Sequence, residues 1–212
     1  MKVYKTIWIS LSVILMSFQL RAATLAETHQ GKQFYLGVHP VSLYSFDSYT
    51  HPFAVGYFVR PEVLVGAANG ATRDNFHRAG IQYTASETSI WARYFLYNSV
   101  DLMLRLRTLN LNFSNHYIAT STGLRADYTG QFRGKTLGLG IGNRWSWSSG
   151  LSLGVDWLVA NALFGTSSSL QVTSNAGIPQ AELNSATSSD QSTVKRFAGL
   201  PSVAVLSLGY LF

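Results

Sequence analysis

From residue 33 onward the apolar residues of this chain recur at every second position, the spacing that sends successive side chains to opposite faces of a β-strand. The C-terminus is the clearest case. Leu200, Ser202, Ala204, Leu206, Leu208, Tyr210 and Phe212 share one face, and Val203, Val205, Ser207, Gly209 and Leu211 take the other. A hairpin precedes it: Leu137, Leu139, Ile141, Asn143, Trp145 and Trp147 alternate with Gly138, Gly140, Gly142 and Arg144. After a turn at 148–150, Leu151, Leu153, Val155, Trp157 and Val159 alternate with Ser152, Gly154 and Asp156. Farther upstream, Ile90, Ala92, Tyr94 and Leu96 lead through a turn at Asn98 and Ser99 into Val100, Leu102, Leu104 and Leu106. A third hairpin runs from Phe53 to Val59, turns at Arg60 and Pro61, and returns through Val63, Val65 and Ala67. Residues 33–41 make the first strand, with Pro40 predicting a bulge or an early end.

Counting arms gives about eight strands joined by two kinds of connection. Those at 60–61, 98–99 and 148–150 are minimal, while those near 44–51, 69–86, 114–134 and 166–196 are long and polar. Strict alternation of the two predicts an up-and-down meander with its long loops at one end. The last of these, rich in Ser, Thr and Asn and poor in aromatics, reads as a mobile loop.

Alternation does not say which face points outward. A ring of about eight strands has an interior only wide enough for side chains to fill, so the face carrying Gly138, Gly140, Gly142, Gly154, Ser207 and Gly209 belongs inside and the Leu/Trp/Tyr face against lipid. The opposite arrangement is a secreted ligand-binding barrel with its apolar face inside. Tyr57, Tyr94, Trp145 and Trp147, with Tyr210 and Phe212, all fall near the short turns, as an aromatic girdle at one membrane interface requires. The predicted fold class is therefore all-β: a single antiparallel up-and-down transmembrane β-barrel over residues 33–212.

Composition fits this reading. The chain has 212 residues, 47% hydrophobic but only 12% charged, and no Cys, about half the ~25% charge of a soluble domain. Without thiols neither a disulfide framework nor a cysteine zinc cluster can form. Part of the formal +6 lies at the N-terminus, where Lys2 and Lys5 precede an apolar run from Ile7 to Met16, followed by Arg21 and small residues. That is the layout of a secretory signal peptide over residues 1–23, with cleavage after Ala22, Ala23 or Ala26. Its removal leaves 13 basic against 10 acidic residues. No Lys/Arg cluster remains to follow a phosphate backbone, so no nucleic-acid partner is expected.

The chain resembles the small outer-membrane β-barrels of Gram-negative bacteria, the OmpA-transmembrane and OmpX-like class, through the signal peptide, the strands from about residue 33 to Phe212, and above all the last strand. There Leu206, Leu208 and Tyr210 alternate up to a terminal Phe212, similar to the signal such proteins present to the barrel-assembly machinery. The resemblance implies export through the Sec pathway to the outer membrane, with the assembly machinery, periplasmic chaperones, membrane lipids and lipopolysaccharide as partners.

Chemistry is sparse. Arg93, Arg105, Arg107 and Arg144 face the predicted lumen, with Asp101, Asp156, Glu62 and Glu87 as counter-charges and Arg144 near-opposite Asp156. Such groups form either a plug of paired charges, since buried charge needs partners, or an anion-selective constriction. Some barrels of this size modify the lipid part of lipopolysaccharide, and Ser114, His116 and Asp127 are the weak catalytic candidates, a Ser with a His and a carboxylate. The histidines at 29, 39, 51, 77 and 116 lack ligand spacing, so neither metal nor cofactor is expected. The expectation is a non-enzymatic envelope or surface protein acting through its outer loops on an unspecified extracellular ligand. A narrow small-solute channel and a lipid A-modifying enzyme are the alternatives.

Overall fold

The computed structural model describes residues 31–44, 50, 52–72, 76–78, 81–96, 99–119, 122–175 and 177–212; the signal peptide expected over residues 1–23 and the turn residue Asn98 lie outside them. The strands are β1 (Phe34–Tyr44), β2 (Phe53–Arg60), β3 (Val63–Ala71), β4 (Phe76–Arg78), β5 (Ile81–Phe95), β6 (Val100–Ile118), β7 (Arg125–Ser146), β8 (Leu151–Asn175) and β9 (Ser202–Leu211). A helix, α1 (Gln180–Ala198), joins β8 to β9. Every pairing is antiparallel between neighbours, β1 pairs with β9, and β3 and β4 both lie along β5, so the nine strands form eight staves in a closed ring. Closure is completed at the chain's end, where the backbone N–H of Phe212 donates to the Phe34 carbonyl at 3.1 Å and the Phe34 N–H donates back at 3.0 Å.

Alternation puts Leu102, Leu104 and Leu106 of β6, Leu137, Leu139 and Ile141 of β7, and Leu208 and Tyr210 of β9 on the outside, exposed. With Phe34, Tyr57 and Tyr94 they form an apolar belt around the ring, and Phe34 packs against Tyr57 at 5.4 Å and Phe212 at 5.9 Å near its short-turn end. No side chain in water gains from such exposure, whereas in lipid the belt is the solvated surface. No described helix is long and apolar enough to cross a membrane.

Two expectations about the connections are corrected. Strands β6, β7 and β8 are 19, 22 and 25 residues long, about twice the 9–11 that cross a bilayer. Segments 69–86 and 114–134, expected as loops, are therefore largely β3, β5, β6 and β7 ladder. Above the belt their outer faces are polar, so the lipid-type alternation stops while the backbone pairing does not. Segment 166–196, expected as a mobile loop, is the end of β8 followed by α1. That helix buries one thin stripe, Leu183, Thr187, Val194 and Ala198, against the inner face of the projecting sheet: Val194 and Ala198 join Leu109, Leu111, Phe113, Tyr128 and Phe132 in one core.

Register shifts account for two further differences. The β7–β8 ladder slips by one at Trp157, and in β9 Ala204 sits at φ +50° opposite it. Val159 and Ser202, expected on the lipid face, consequently turn inward and are buried. The irregularity continues into β1 between Val38 and Val41, where Pro40 predicted a bulge. Trp145 keeps its outward parity but is only 2% exposed, and so does not present its ring to lipid as the girdle expectation had it. Beside it the Arg144 N–H donates to the Ser99 carbonyl at 2.6 Å, which folds the β5–β6 turn against this end of β7. Trp147 is half-buried.

Inside the ring, Gly37 and Gly209 pair across β1 and β9, and a methyl on either would overlap the Tyr35 ring. Their missing side chains are what let that ring lie flat against the wall. Gly209→Val is expected to destabilise the barrel by about 1–3 kcal/mol through overpacking, read as a lower urea midpoint of the folded band on a cold gel. Combining it with Tyr35→Ala should give less than the sum of the two single effects.

Candidate functional site

Within the belt the lumen is filled by charge. The Arg93 guanidinium donates to Asp156 through two nitrogens, at 2.6 and 2.8 Å, and to Asp101 at 2.7 Å. All three are under 5% exposed. Arg93 stands on β5, Asp101 on β6 and Asp156 on β8, so the bidentate pair crosses the lumen and ties staves that share no backbone ladder. Arg107 donates to Glu87 at 3.3 Å and to Thr136 at 3.2 Å, and Arg105 reaches Ser202 at 3.4 Å. Arg144 was expected near-opposite Asp156, and the register sets them diagonally, Asp156 across from Gly142 and Arg144 across from Gly154; the ion pair of Asp156 is with Arg93. Arg144 donates to the Tyr35 hydroxyl at 2.9 Å and lies 5.0 Å from the centre of that ring. Glu62, also expected inside, is exposed at the β2–β3 turn.

The space left among these groups, between Tyr35, His39, Trp91, Arg93, Arg105 and Arg144, is about 10 Å³, at most room for a single water. Above it the lumen changes character. Leu109, Leu111 and Phe113 of β6 continue the inward row begun by Asp101, Arg105 and Arg107, and α1 covers them. The helix is fixed by polar contacts as well: Asp190 accepts from Asn115 at 2.7 Å and from the Tyr128 hydroxyl, and Glu182 accepts from Tyr117 at 2.8 Å. Burial and the neighbouring Asp190 carboxylate push the Tyr128 phenol well above its ordinary value.

The outer face of the projecting sheet holds the residues considered for catalysis. The ladder sets His116 directly opposite Asp127 and Ser114 opposite Thr129, so Ser114, His116 and Asp127 share one face beside an open depression of about 320 Å³ that also touches Gln82 and Arg125. Their bonds run elsewhere. The Ser114 hydroxyl donates to Gln82 at 3.2 Å, and Asp127 accepts from Arg125 at 2.8 Å. Neither Ser114 nor Asp127 is hydrogen-bonded to the His116 ring among the described residues, so proximity is present without the hydrogen-bonded relay that would activate a serine. A second, neighbouring depression of about 680 Å³ is lined on this face by amides and hydroxyls, among them Gln82, Asn112, Thr129, Gln131, Ser169 and Gln171.

Sequence reasoning missed α1 as part of this arrangement. Its signals were there: Pro179 before the first turn, Glu182 within it, Lys195 and Arg196 in the last, and Gly199 just after, the usual punctuation of a helix.

A closed antiparallel barrel of eight staves, apolar outside over one belt and packed with ion pairs inside, is the architecture of a small membrane-spanning β-barrel. No family model matches the chain, and no curated protein is similar to it at a significant level. Among solved structures, the crystal structure of Acinetobacter baumannii CarO2 is similar at a TM-score of 0.46 and 11% identity, covering 85% of this chain and 98% of that one.

The ion-pair centre makes a direct prediction. Asp156→Leu strands Arg93 with half its partners and is expected to cost about 3–5 kcal/mol, whereas Arg93→Leu combined with Asp101→Leu and Asp156→Leu should recover most of it. Urea unfolding followed by gel mobility measures both.

Proposed function

We propose that this chain is an exported outer-membrane protein of the small-barrel kind typified by OmpA and OmpX, a non-enzymatic surface protein that acts through the polar sheet and connections above its lipid belt. One observation carries the reading: the lumen is closed twice, by the ion pairs around Arg93 and again by α1 seated on Leu109, Leu111 and Phe113. A filled interior leaves the outer face as the working surface. In this reading the short turns lie in the periplasm and the long strands rise outside the cell. The Sec pathway and periplasmic chaperones deliver the chain, and Leu206, Leu208, Tyr210 and Phe212 address the barrel-assembly machinery. Lipopolysaccharide is the lipid it meets on the outer leaflet.

The two rival readings have definite tests. Wild-type protein in planar bilayers should show no unitary conductance. Replacing residues 180–198 by a short Gly-Ser linker should leave it closed, because the lower plug is intact; only with Arg93, Asp101 and Asp156 also replaced by Ala should conductance appear. Steps from the wild type would support the narrow channel and remove the proposal. The catalytic reading rests on Ser114, His116 and Asp127 sharing a face. Expression in a host with defined lipid A is expected to leave the lipid A mass spectrum unchanged, and a mass change abolished by Ser114→Ala would overturn the non-enzymatic assignment.

A further inference from the structure

The outer face of β7 carries two cations that the barrel itself does not use. Arg133 and Lys135 are exposed, two residues apart on the same side of the strand, about 7 Å by strand geometry. Among the described residues neither side chain makes an ion pair or a hydrogen bond. By contrast, Arg93 and Arg107 are paired with carboxylates, Arg125 with Asp127, and Arg144 rests on Tyr35. Opposite Lys135 on the two flanking strands stand Thr108 and Phe164, and opposite Arg133 stand Asn110 and Ser167. No acidic residue lies in either row.

Their height is the informative part. One step below Lys135 on the same face is Leu137, level with Leu106 and Ile90, the top of the apolar belt. From there a lipid-facing groove of about 870 Å³ descends toward Tyr57 and Phe34, over a floor kept low by the small outward side chains of Ala67 and Ala92. Above Arg133 the same face presents Gln131, Asn112 and Thr129, the neutral amide and hydroxyl surface already described. Read along β6 and β7 away from the turns, the outside is therefore apolar groove, then unpaired cations, then uncharged hydrogen-bonding groups.

We propose that this track is a binding site for a phosphorylated glycolipid of the outer leaflet, with acyl chain in the groove, phosphate on Arg133 and Lys135, and sugar on the amide face. The inference rests on the outer-membrane reading and deepens it by naming the site. Each segment of such a lipid meets the chemistry that solvates it: apolar surface for hydrocarbon, a guanidinium and an ammonium for phosphate, amides and hydroxyls for sugar hydroxyls. A simple phospholipid satisfies the lower two levels and leaves the third unused.

The test uses full-length mature protein reconstituted in nanodiscs and released into native mass spectrometry. The discs are doped with bisphosphorylated lipid A bearing core sugar, with its enzymatically dephosphorylated form, or with phosphatidylglycerol. Wild type is expected to retain the phosphorylated glycolipid at least about tenfold over the dephosphorylated form, and Arg133→Gln with Lys135→Gln to abolish that preference, as loss of charge-assisted bonds predicts. Ala67→Leu with Ala92→Leu, which fills the groove, should reduce retention with the cations intact. Lys195→Gln with Arg196→Gln, exposed cations on α1 and off the track, should change nothing. Equal retention by wild type and the Arg133/Lys135 double variant overturns the site. So does equal retention of phosphatidylglycerol, and so does full displacement by millimolar inorganic phosphate, which would make it a bare anion site. Failure of the outer-membrane reading looks different: wild type would show no heat-dependent gel shift and no insertion into the discs.

Discussion

The structure turns on an exchange of solvents at one level of the barrel. Up to Leu106 and down to Leu137 the outside of β6 and β7 faces hydrocarbon; one pair of residues farther, at Thr108 and Lys135, it faces water. The inside answers in the opposite sense. Below this level it holds Asp101, Arg105 and Arg107, and above it Leu109, Leu111 and Phe113. A stave in lipid gains by turning its apolar residues outward and can leave polar ones within a filled lumen, whereas a stave in water must bury its apolar residues as any soluble sheet does. A sheet alone has nothing to bury them against. Helix α1 supplies that second layer, which is why a chain of this topology inserts nineteen helical residues between its last two strands.

The same exchange explains why the two plugs differ in kind. In the belt the interior is narrow, and Arg93 pairs with both Asp101 and Asp156, its guanidinium fork matched to the Asp156 carboxylate on the far wall. Such a cluster does not add much stability over a well-packed apolar filling. Its effect is directional: a charged inner face cannot rotate toward lipid without losing its partners, so each stave has one permitted orientation and one register. Higher up, the constraint is ordinary packing, and Val194, Ala198 and Phe132 meet it with little charge.

How far this was legible in the sequence follows from the phase of the alternation. Within the belt the period-two pattern identifies the staves, their inward glycines and arginines, and the closed ring. Above it the apolar residues of β6 change parity, from Leu102, Leu104 and Leu106 to Leu109, Leu111 and Phe113, and those of β7 do the same between Tyr128, Phe132 and Leu137. A parity change without a turn residue looks like the end of a strand; physically it marks the surface of the membrane. The arginine partners were not legible, because parity states which residues face inward and not which of them meet across a ring. A one-residue slip at Trp157 was enough to move Val159 and Ser202 inside. The helix was hidden by the thinness of its stripe, since Leu183, Thr187, Val194 and Ala198 bury barely one side chain per turn.

These constraints also bear on where chemistry can reside. Ser114, His116 and Asp127 come together because β6 and β7 continue as a flat ladder past the bilayer, and any three polar residues at those register positions would do so. Gln82 and Arg125 occupy the hydrogen-bonding capacity that a relay would need. Arg133 and Lys135 lie on the same ladder with their charges unanswered by the protein, at the height where the surrounding solvent changes from hydrocarbon to water. On this outer face a residue bonded to its neighbours stabilises the sheet, and one left unbonded is available to whatever the membrane surface presents.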